Sequence, residues 1–314
     1  MIHESVLDCV GDTPLVRLGR LFPGAQVLAK LELLNPGGSV KDRSARLIVE
    51  QGLHNGTIQP DTRLVESSSG NFGIALAMAC RVYGLALTVV VDAATTASNL
   101  TILRRMGADV DVVTEPDEGG GGYLFGRLAR VRELVAAEPK AHWINQYAND
   151  LNHRAHERTG REVLAQCSER IDYFVAAVST TGTIHGVSRA LRERHPDLKV
   201  IAVDAVGSVV FGGPPGRRLM PGIGSSRVPE LLRREEIDEV VHVSDEQAIT
   251  GCHALLRAEG LLAGGSSGSV VWAVRDLLRR VPPGSRVVTL LADRGERYLD
   301  LIYANPATAD FDEE

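Results

Sequence analysis

Three short loops of small, hydroxyl-bearing residues each stand between an apolar run and a helical pattern. They are Ser67-Ser68-Ser69-Gly70-Asn71-Phe72-Gly73, Ser179-Thr180-Thr181-Gly182-Thr183 and Gly264-Gly265-Ser266-Ser267-Gly268. An apolar run, a tight loop and a helix, repeated, constrain the chain to an α/β fold whose parallel-type sheets are flanked by helices. Residues 62–66, 86–92 and 108–113 read as strands, with helices starting near Asn71, Ser98 and Tyr123. A second series has strands at 173–178, 200–206, 240–243 and 287–292, with helices starting near Gly182, Asp245 and Ser267. That pattern predicts two α/β units. Residues 116–122 are glycine-rich and residues 212–224 are interrupted by proline, so both read as loops.

A fourth loop, Asn35-Pro36-Gly37-Gly38-Ser39-Val40-Lys41-Asp42-Arg43, hands a lysine to the opening of a helix expected from Asp42 to about Asn55. The positive end of a helix disfavours an ammonium relative to the free amine, and free amines form Schiff bases. The other three loops sit where a strand turns into a helix. There backbone N–H groups and the helix dipole converge on one spot that suits a phosphate or carboxylate. Any one of these loops alone reads rather as a tight turn with a helix N-cap. Together the four point to a site.

Composition excludes several other classes. With 314 residues, 44% of them hydrophobic, the chain can bury a large core and divide into two domains. A net charge of −6, with arginines dispersed among acids, gives no support to a nucleic-acid partner. The opening residues Met1 to Ser5 lack a basic segment followed by an apolar one, and no apolar stretch is long enough to span a bilayer, so a cytoplasmic protein without a membrane partner is expected. Cys9, Cys80, Cys167 and Cys252 are far apart and show no metal or disulfide spacing; Cys80 and Cys252 read as core packing. His153 and His156 share a segment but lack ligand companions, so no metal site is expected.

The four loops, in this order and at these spacings, resemble the cysteine synthase group of fold-type II pyridoxal phosphate (PLP) enzymes, whose usual forms read NPxxSVKxR, TSGNTG, GTGGT and GISSG. The likeness runs from Gly11-Asp12-Thr13-Pro14-Leu15-Val16 to Arg294-Gly295-Glu296-Arg297-Tyr298-Leu299. It implies a two-domain fold like that of the tryptophan synthase β subunit. Its smaller domain would span 34–145 with a mobile substrate loop, and 1–33 would join 146–314 in the larger, PLP-binding domain. In this group active sites lie between the domains and homodimers are usual.

The resemblance also assigns roles. Lys41 corresponds to the lysine that binds PLP as an internal aldimine and then serves as general base. Asn71 corresponds to the residue that hydrogen-bonds the cofactor's ring oxygen, Ser179, Thr180, Thr181, Gly182 and Thr183 to the phosphate cradle, and Ser267 to the serine facing the pyridine nitrogen. A neutral serine there leaves the ring a weaker electron sink than a carboxylate partner would, which favours elimination at Cβ over transamination. Ser68, Ser69, Asn71 and Gln146 match positions that hold the substrate's α-carboxylate. The reaction implied is β-replacement through an aminoacrylate.

Departures from the common pattern bear on the nucleophile. Phe72 stands for a small threonine, Ser179-Thr180-Thr181 for Gly-Thr-Gly, and Tyr147 for a phenylalanine. Gly122-Tyr123-Leu124 with Arg127, Gln146-Tyr147-Ala148-Asn149, Val178-Ser179-Thr180-Thr181-Gly182 and Val203-Asp204-Ala205-Val206-Gly207-Ser208 resemble a narrower branch, the N-(2-amino-2-carboxyethyl)-L-glutamate synthases. These join O-phospho-L-serine to L-glutamate in 2,3-diaminopropionate biosynthesis for siderophores and peptide antibiotics. Glutamate brings two carboxylates and needs cationic or hydroxyl donors, whereas hydrosulfide needs only a small channel. The resemblance therefore carries Arg127, Tyr147 and Thr180 over as substrate-binding; by residue type alone Arg127 reads equally as a solvated helix arginine. Arg217 and Arg218 read as an exposed loop pair or as a site for the leaving phosphate. A cysteine synthase using O-acetylserine or O-phosphoserine and a non-catalytic binding homologue remain alternatives. A dehydratase is disfavoured by the sequence around Lys41 and Ser267, and a cystathionine β-synthase with its extra regulatory domain by the chain's length.

Overall fold

A computed structural model describes residues 2–117, 122–304 and 311, so residues 118–121 of the expected glycine-rich loop lie outside the described residues. The chain divides into two compact units, residues 1–10 with 35–152 and residues 11–34 with 153–314. Each contains one sheet.

The second unit begins with strands β1 (Leu15–Arg17) and β2 (Gln26–Lys30), neither of which the sequence pattern predicts. The first unit then runs α1 (Lys41–Asn55), β3 (Arg63–Ser67), α2 (Asn71–Tyr83), β4 (Ala86–Asp92), α3 (Ala97–Arg105), β5 (Asp109–Val113), α4 (Leu124–Ala137) and β6 (Ala141–Trp143). After α5 (Leu151–Gln166) the second unit continues with β7 (Tyr173–Ala177), α6 (Gly182–Arg192), β8 (Lys199–Ala205), β9 (Glu239–Val243), α7 (Asp245–Glu259), α8 (Gly265–Leu278) and β10 (Arg286–Leu290).

The first unit's sheet is wholly parallel, in the order β5-β4-β3-β6. Its central strands β3 and β4 are largely apolar on both faces because both are covered. Leu64, Leu87, Val89 and Val91 pack with Ile48, Phe72, Leu76 and Leu103, while Val65 and Val90 pack with Val131 of α4. The second unit's sheet has the order β1-β2-β10-β7-β8-β9, parallel except for β1. Successive residues again serve opposite faces. Val27, Val175, Ile201 and Val287 meet Cys252, Leu255 and Trp272, and Leu28, Phe174, Val200 and Val288 meet Val163, Ile184 and Leu191. Cys80, Cys167 and Cys252 are buried and Cys9 is exposed, all four as free thiols. Among the described residues no helix is long and apolar enough to cross a membrane.

Parallel strands bring all their carboxyl ends to one side of a sheet, and in open α/β sheets ligands bind there. Two of the hydroxyl-rich loops leave from these ends; the third, expected as another strand-to-helix turn, instead joins α7 to α8, and Ser266, Ser267 and Gly268 already lie in the first turn of α8. The Ser67 to Gly70 turn follows β3, the Ser179 to Thr181 turn follows β7, and α8 is tied to the end of β10.

Candidate active site

In the first unit Lys41 is the opening residue of α1, and its N–H donates to the Ser39 hydroxyl at 3.3 Å. The preceding loop is pinned by Asp42, whose carboxylate accepts from the Gly37 N–H at 2.5 Å. A Cβ on residue 37 would lie 2.5 Å from that carboxylate, so only glycine lets the loop close on its own helix. Lys41 is partly exposed, whereas Asp42, Arg43 and Ser44 are buried. The helix thus presents its lysine from a fixed base.

The serine loop is built from inside outward. The Ser68 hydroxyl accepts from the Gly73 N–H at 2.9 Å, which ties the loop to the first turn of α2, and the Ser69 carbonyl accepts from the Asn99 side chain at 3.0 Å. Ser69, Gly70 and Asn71 are partly exposed at the N-terminus of α2, which makes no side-chain cap. Among the described residues no partner engages the Ser69 hydroxyl. The loop therefore offers donors and a helix dipole to an anion.

Gln146 and Tyr147 follow β6, the neighbour of β3, after a turn made by Asn145 in the left-handed region at φ 52°. Asparagine tolerates that conformation better than most residues. The Gln146 side chain donates to the Ser67 carbonyl at 3.1 Å, so the structure brings Ser68, Ser69, Asn71 and Gln146 to one place. Beneath them lies Glu66, fully buried. One of its oxygens accepts from the Ser67 N–H at 2.8 Å and the other from the Gln146 N–H at 3.3 Å. Burial pushes its carboxyl up to about 8 against the opposing pull of those N–H groups.

That shift has a measurable sign. Between pH 4.5 and about 8 folded Glu66 holds its proton while an unfolded glutamate has lost it, so stability falls as pH rises through this window. One such group gives a slope of up to about 1.4 kcal/mol per pH unit. Glu66→Gln should flatten that slope in denaturant titrations run across the window.

Arg127, in the first turn of α4, is not a solvated arginine. Its side chain is 13% exposed and lies 3.3 Å from Asp92, the last residue of β4, while its Nε is buried without a hydrogen-bond partner. Phe72 is 3% exposed within the first unit's core, so its volume goes to packing. It carries no argument about the nucleophile.

In the second unit Thr181 takes the left-handed region at φ 65°, rare for a β-branched residue, and α6 starts directly after it without a side-chain cap. The Thr181 hydroxyl is buried and unpartnered. An uncapped helix N-terminus, flanked by an orphaned hydroxyl and by Ser179, Thr180 and Thr183, fits a phosphate group. Ser267, fully buried in the first turn of α8, accepts from the Ala292 N–H at 3.1 Å. Because β10 neighbours β7, Ser267 and the Ser179 to Thr183 loop sit over adjacent strand ends. Its lone pair engaged, the Ser267 hydroxyl keeps its proton to donate, which suits an unprotonated ring nitrogen. Both observations fit PLP.

Arg218 is a loop tie, donating to the Gly207 carbonyl at 2.5 Å and to the Ser226 hydroxyl at 2.9 Å, whereas Arg217 is exposed. Glu66, Asp92 and Asn99 were missed from the sequence. Glu66 and Asp92 each left a trace there, as an acid ending an apolar run, and Asn99 left none. No cluster of metal-binding side chains occurs among the described residues.

Solved structures similar to this one include an O-acetylserine dependent cystathionine beta-synthase from Helicobacter pylori, 32% identical over 98% of this chain and 100% of that one, with a TM-score of 0.89. A cysteine synthase from Entamoeba histolytica is 30% identical, covers 99% and 94% of the two chains and has a TM-score of 0.92. An O-ureido-L-serine synthase is 31% identical over 99% and 98%, with a TM-score of 0.90. The cystathionine beta-synthase is matched over its whole length, so chain length does not set this protein apart from that activity. A family model described as "Pyridoxal-phosphate dependent enzyme" matches residues 6–293, and the chain belongs to that family of enzymes, whose cofactor is pyridoxal 5'-phosphate.

Proposed function

We propose that this enzyme joins O-phospho-L-serine to L-glutamate, giving N-(2-amino-2-carboxyethyl)-L-glutamate and phosphate for 2,3-diaminopropionate biosynthesis. The Cβ–O bond of the serine derivative breaks as phosphate leaves and a Cβ–N bond to the amine of glutamate forms; one Cα proton is removed and later returned. When bound, the cofactor supplies the electron sink that makes this proton acidic. Lys41 is its covalent anchor, and its freed amine carries the Cα proton. Asn71 and Ser267 hold the ring, and Ser179, Thr180, Thr181, Gly182 and Thr183 hold the phosphate. Ser68, Ser69, Asn71 and Gln146 fix the α-carboxylate of the first substrate, while Arg127, Tyr147 and Thr180 receive glutamate. The same reading carries a cytoplasmic homodimer, checked by light scattering.

One observation carries the choice of glutamate. Arg127 is a largely desolvated cation with a buried, unpartnered Nε, beside the end of β4. Such a donor suits a carboxylate and has no task with hydrosulfide. A second reading, cysteine synthase, draws support from Asp92, which already balances the Arg127 charge.

The two readings separate in one experiment. Purified enzyme receives O-phospho-L-serine or O-acetyl-L-serine with glutamate or sulfide, and mass spectrometry identifies the products. On the glutamate reading, Arg127→Ala and Tyr147→Phe release phosphate from O-phospho-L-serine as the parent does, but use glutamate about tenfold to hundredfold less well. That is the loss of one charge-assisted hydrogen bond of roughly 1.5–3 kcal/mol. Parent-like use of glutamate by both variants, or far faster turnover with sulfide, turns the assignment to cysteine synthase.

A further inference from the structure

Glu66 has no part in the chemistry proposed above, yet it is fully buried and lies at the junction of two functional segments. Strand β3 leads into the serine loop and strand β6 into Gln146 and Tyr147; the two strands are neighbours in the sheet. Their pairing ends at Val65 with Trp143, so beyond that point the ladder no longer fixes one segment against the other. Two side chains bridge the gap. Gln146 donates to the Ser67 carbonyl, and Glu66 accepts from the N–H of Ser67 with one oxygen and of Gln146 with the other.

We infer that Glu66 is a positioning residue that locks the serine loop and the Gln146 segment into the one spacing that grips an α-carboxylate. This rests on the reading that Ser68, Ser69, Asn71 and Gln146 hold that group. The physical requirement is for two acceptors. Each partner is a backbone N–H, which can only donate, so a residue bridging both must present an oxygen to each. A carboxylate does so, and a protonated carboxyl still can, through its carbonyl oxygen and the lone pair of its hydroxyl oxygen; a carboxamide of the same shape turns a donor toward one of them. The mismatch costs more than a missing bond, because a buried donor then faces another donor. The Ser67 N–H is fixed by its own neighbour's side chain, so any shift in Glu66 is passed directly to the first peptide of the loop.

The test is Glu66→Gln in the holoenzyme above pH 8, where the parent carboxylate ionises. Two ligands are titrated by their effect on the cofactor's absorbance: L-serine and L-serinamide, which lacks the carboxylate charge. The parent should prefer serine, and that control stands apart, since a parent with no such preference removes the carboxylate-site reading itself. In Glu66→Gln the preference for serine over serinamide should fall at least about fivefold, with serinamide affinity and cofactor content close to the parent's. A general loss of structure would weaken both ligands alike. Glu66→Asp keeps the charge and both acceptors and should recover part of the preference, and it is read in place of Glu66→Gln if that variant lacks cofactor. A parent-like preference in Glu66→Gln, equal loss for both ligands, or failure of both variants to hold cofactor would each overturn the assignment, the last leaving Glu66 as scaffold only.

Discussion

Replacing Lys41 with alanine should abolish turnover, by at least about ten-thousand-fold, the upper end of what one positioned acid–base group supplies. The residue is the only amine at the head of α1, and its neighbours Asp42, Arg43 and Ser44 are buried and remain in place without it. The variant should keep the parent's melting temperature within a few degrees. It should bind pyridoxal phosphate without a covalent link, so that borohydride followed by denaturation releases the cofactor rather than fixing it to the chain. A retained covalent adduct would show that another lysine is the anchor.

The largest effect on stability is expected from Gly268→Ala. A Cβ at residue 268 would collide with the Ala248 carbonyl oxygen and lie 2.5 Å from the Cys252 sulfur and 2.8 Å from its backbone nitrogen. Gly251 meets the Gly268 carbonyl from the opposite direction, so α7 and α8 touch backbone to backbone. No side chain can rotate away from a carbonyl oxygen; one helix must shift. Overpacking of this kind costs about 3 kcal/mol or more, which lowers the melting temperature by at least roughly 4–5 °C for a protein of this size. Differential scanning calorimetry reads the change. Because Ser267 precedes the clash, cofactor affinity should fall with it.

What the sequence revealed followed from pattern strength. Strands such as β4 and β8 are seven residues long, apolar on both faces and bounded by loops, and their positions were legible to within a residue. Strand β6 is only three residues, Ala-His-Trp, and too short for any period to show. Helix α5 was missed for another reason. Its buried side includes Asn152, His153, His156, Thr159 and Glu162, so the spacing is helical but the residues are polar. Glu162 there pairs at 2.8 Å with the fully buried Lys30, and such partners are invisible until the chain is folded.

The candidate site residues divide the same way. The serine loop and the Ser179 to Thr183 loop stand out in the sequence because anion cradles need small residues in consecutive positions. Glu66, Asp92 and Asn99 act one by one from neighbouring elements, and no spacing links them. Phe72 shows the reverse error, since a conspicuous departure in a functional motif proved to serve the core.

The parallel pairing of β2 with β10, Gln26 beside Arg286 through Lys30 beside Leu290, ties together segments about 260 residues apart in sequence. During synthesis the first unit's sheet is complete once Trp143 has emerged, whereas β2 waits for almost the whole chain. Until then one edge of β2 is open and adhesive, and closing so long a loop is slow. Nascent chains halted before residue 286 should therefore resist protease across 35–117 and 122–152 while residues 15–30 are cut. The first hairpin of the enzyme thus leaves the ribosome with β2 paired only to β1, and the edge that β10 will cover stays open until the chain is nearly complete.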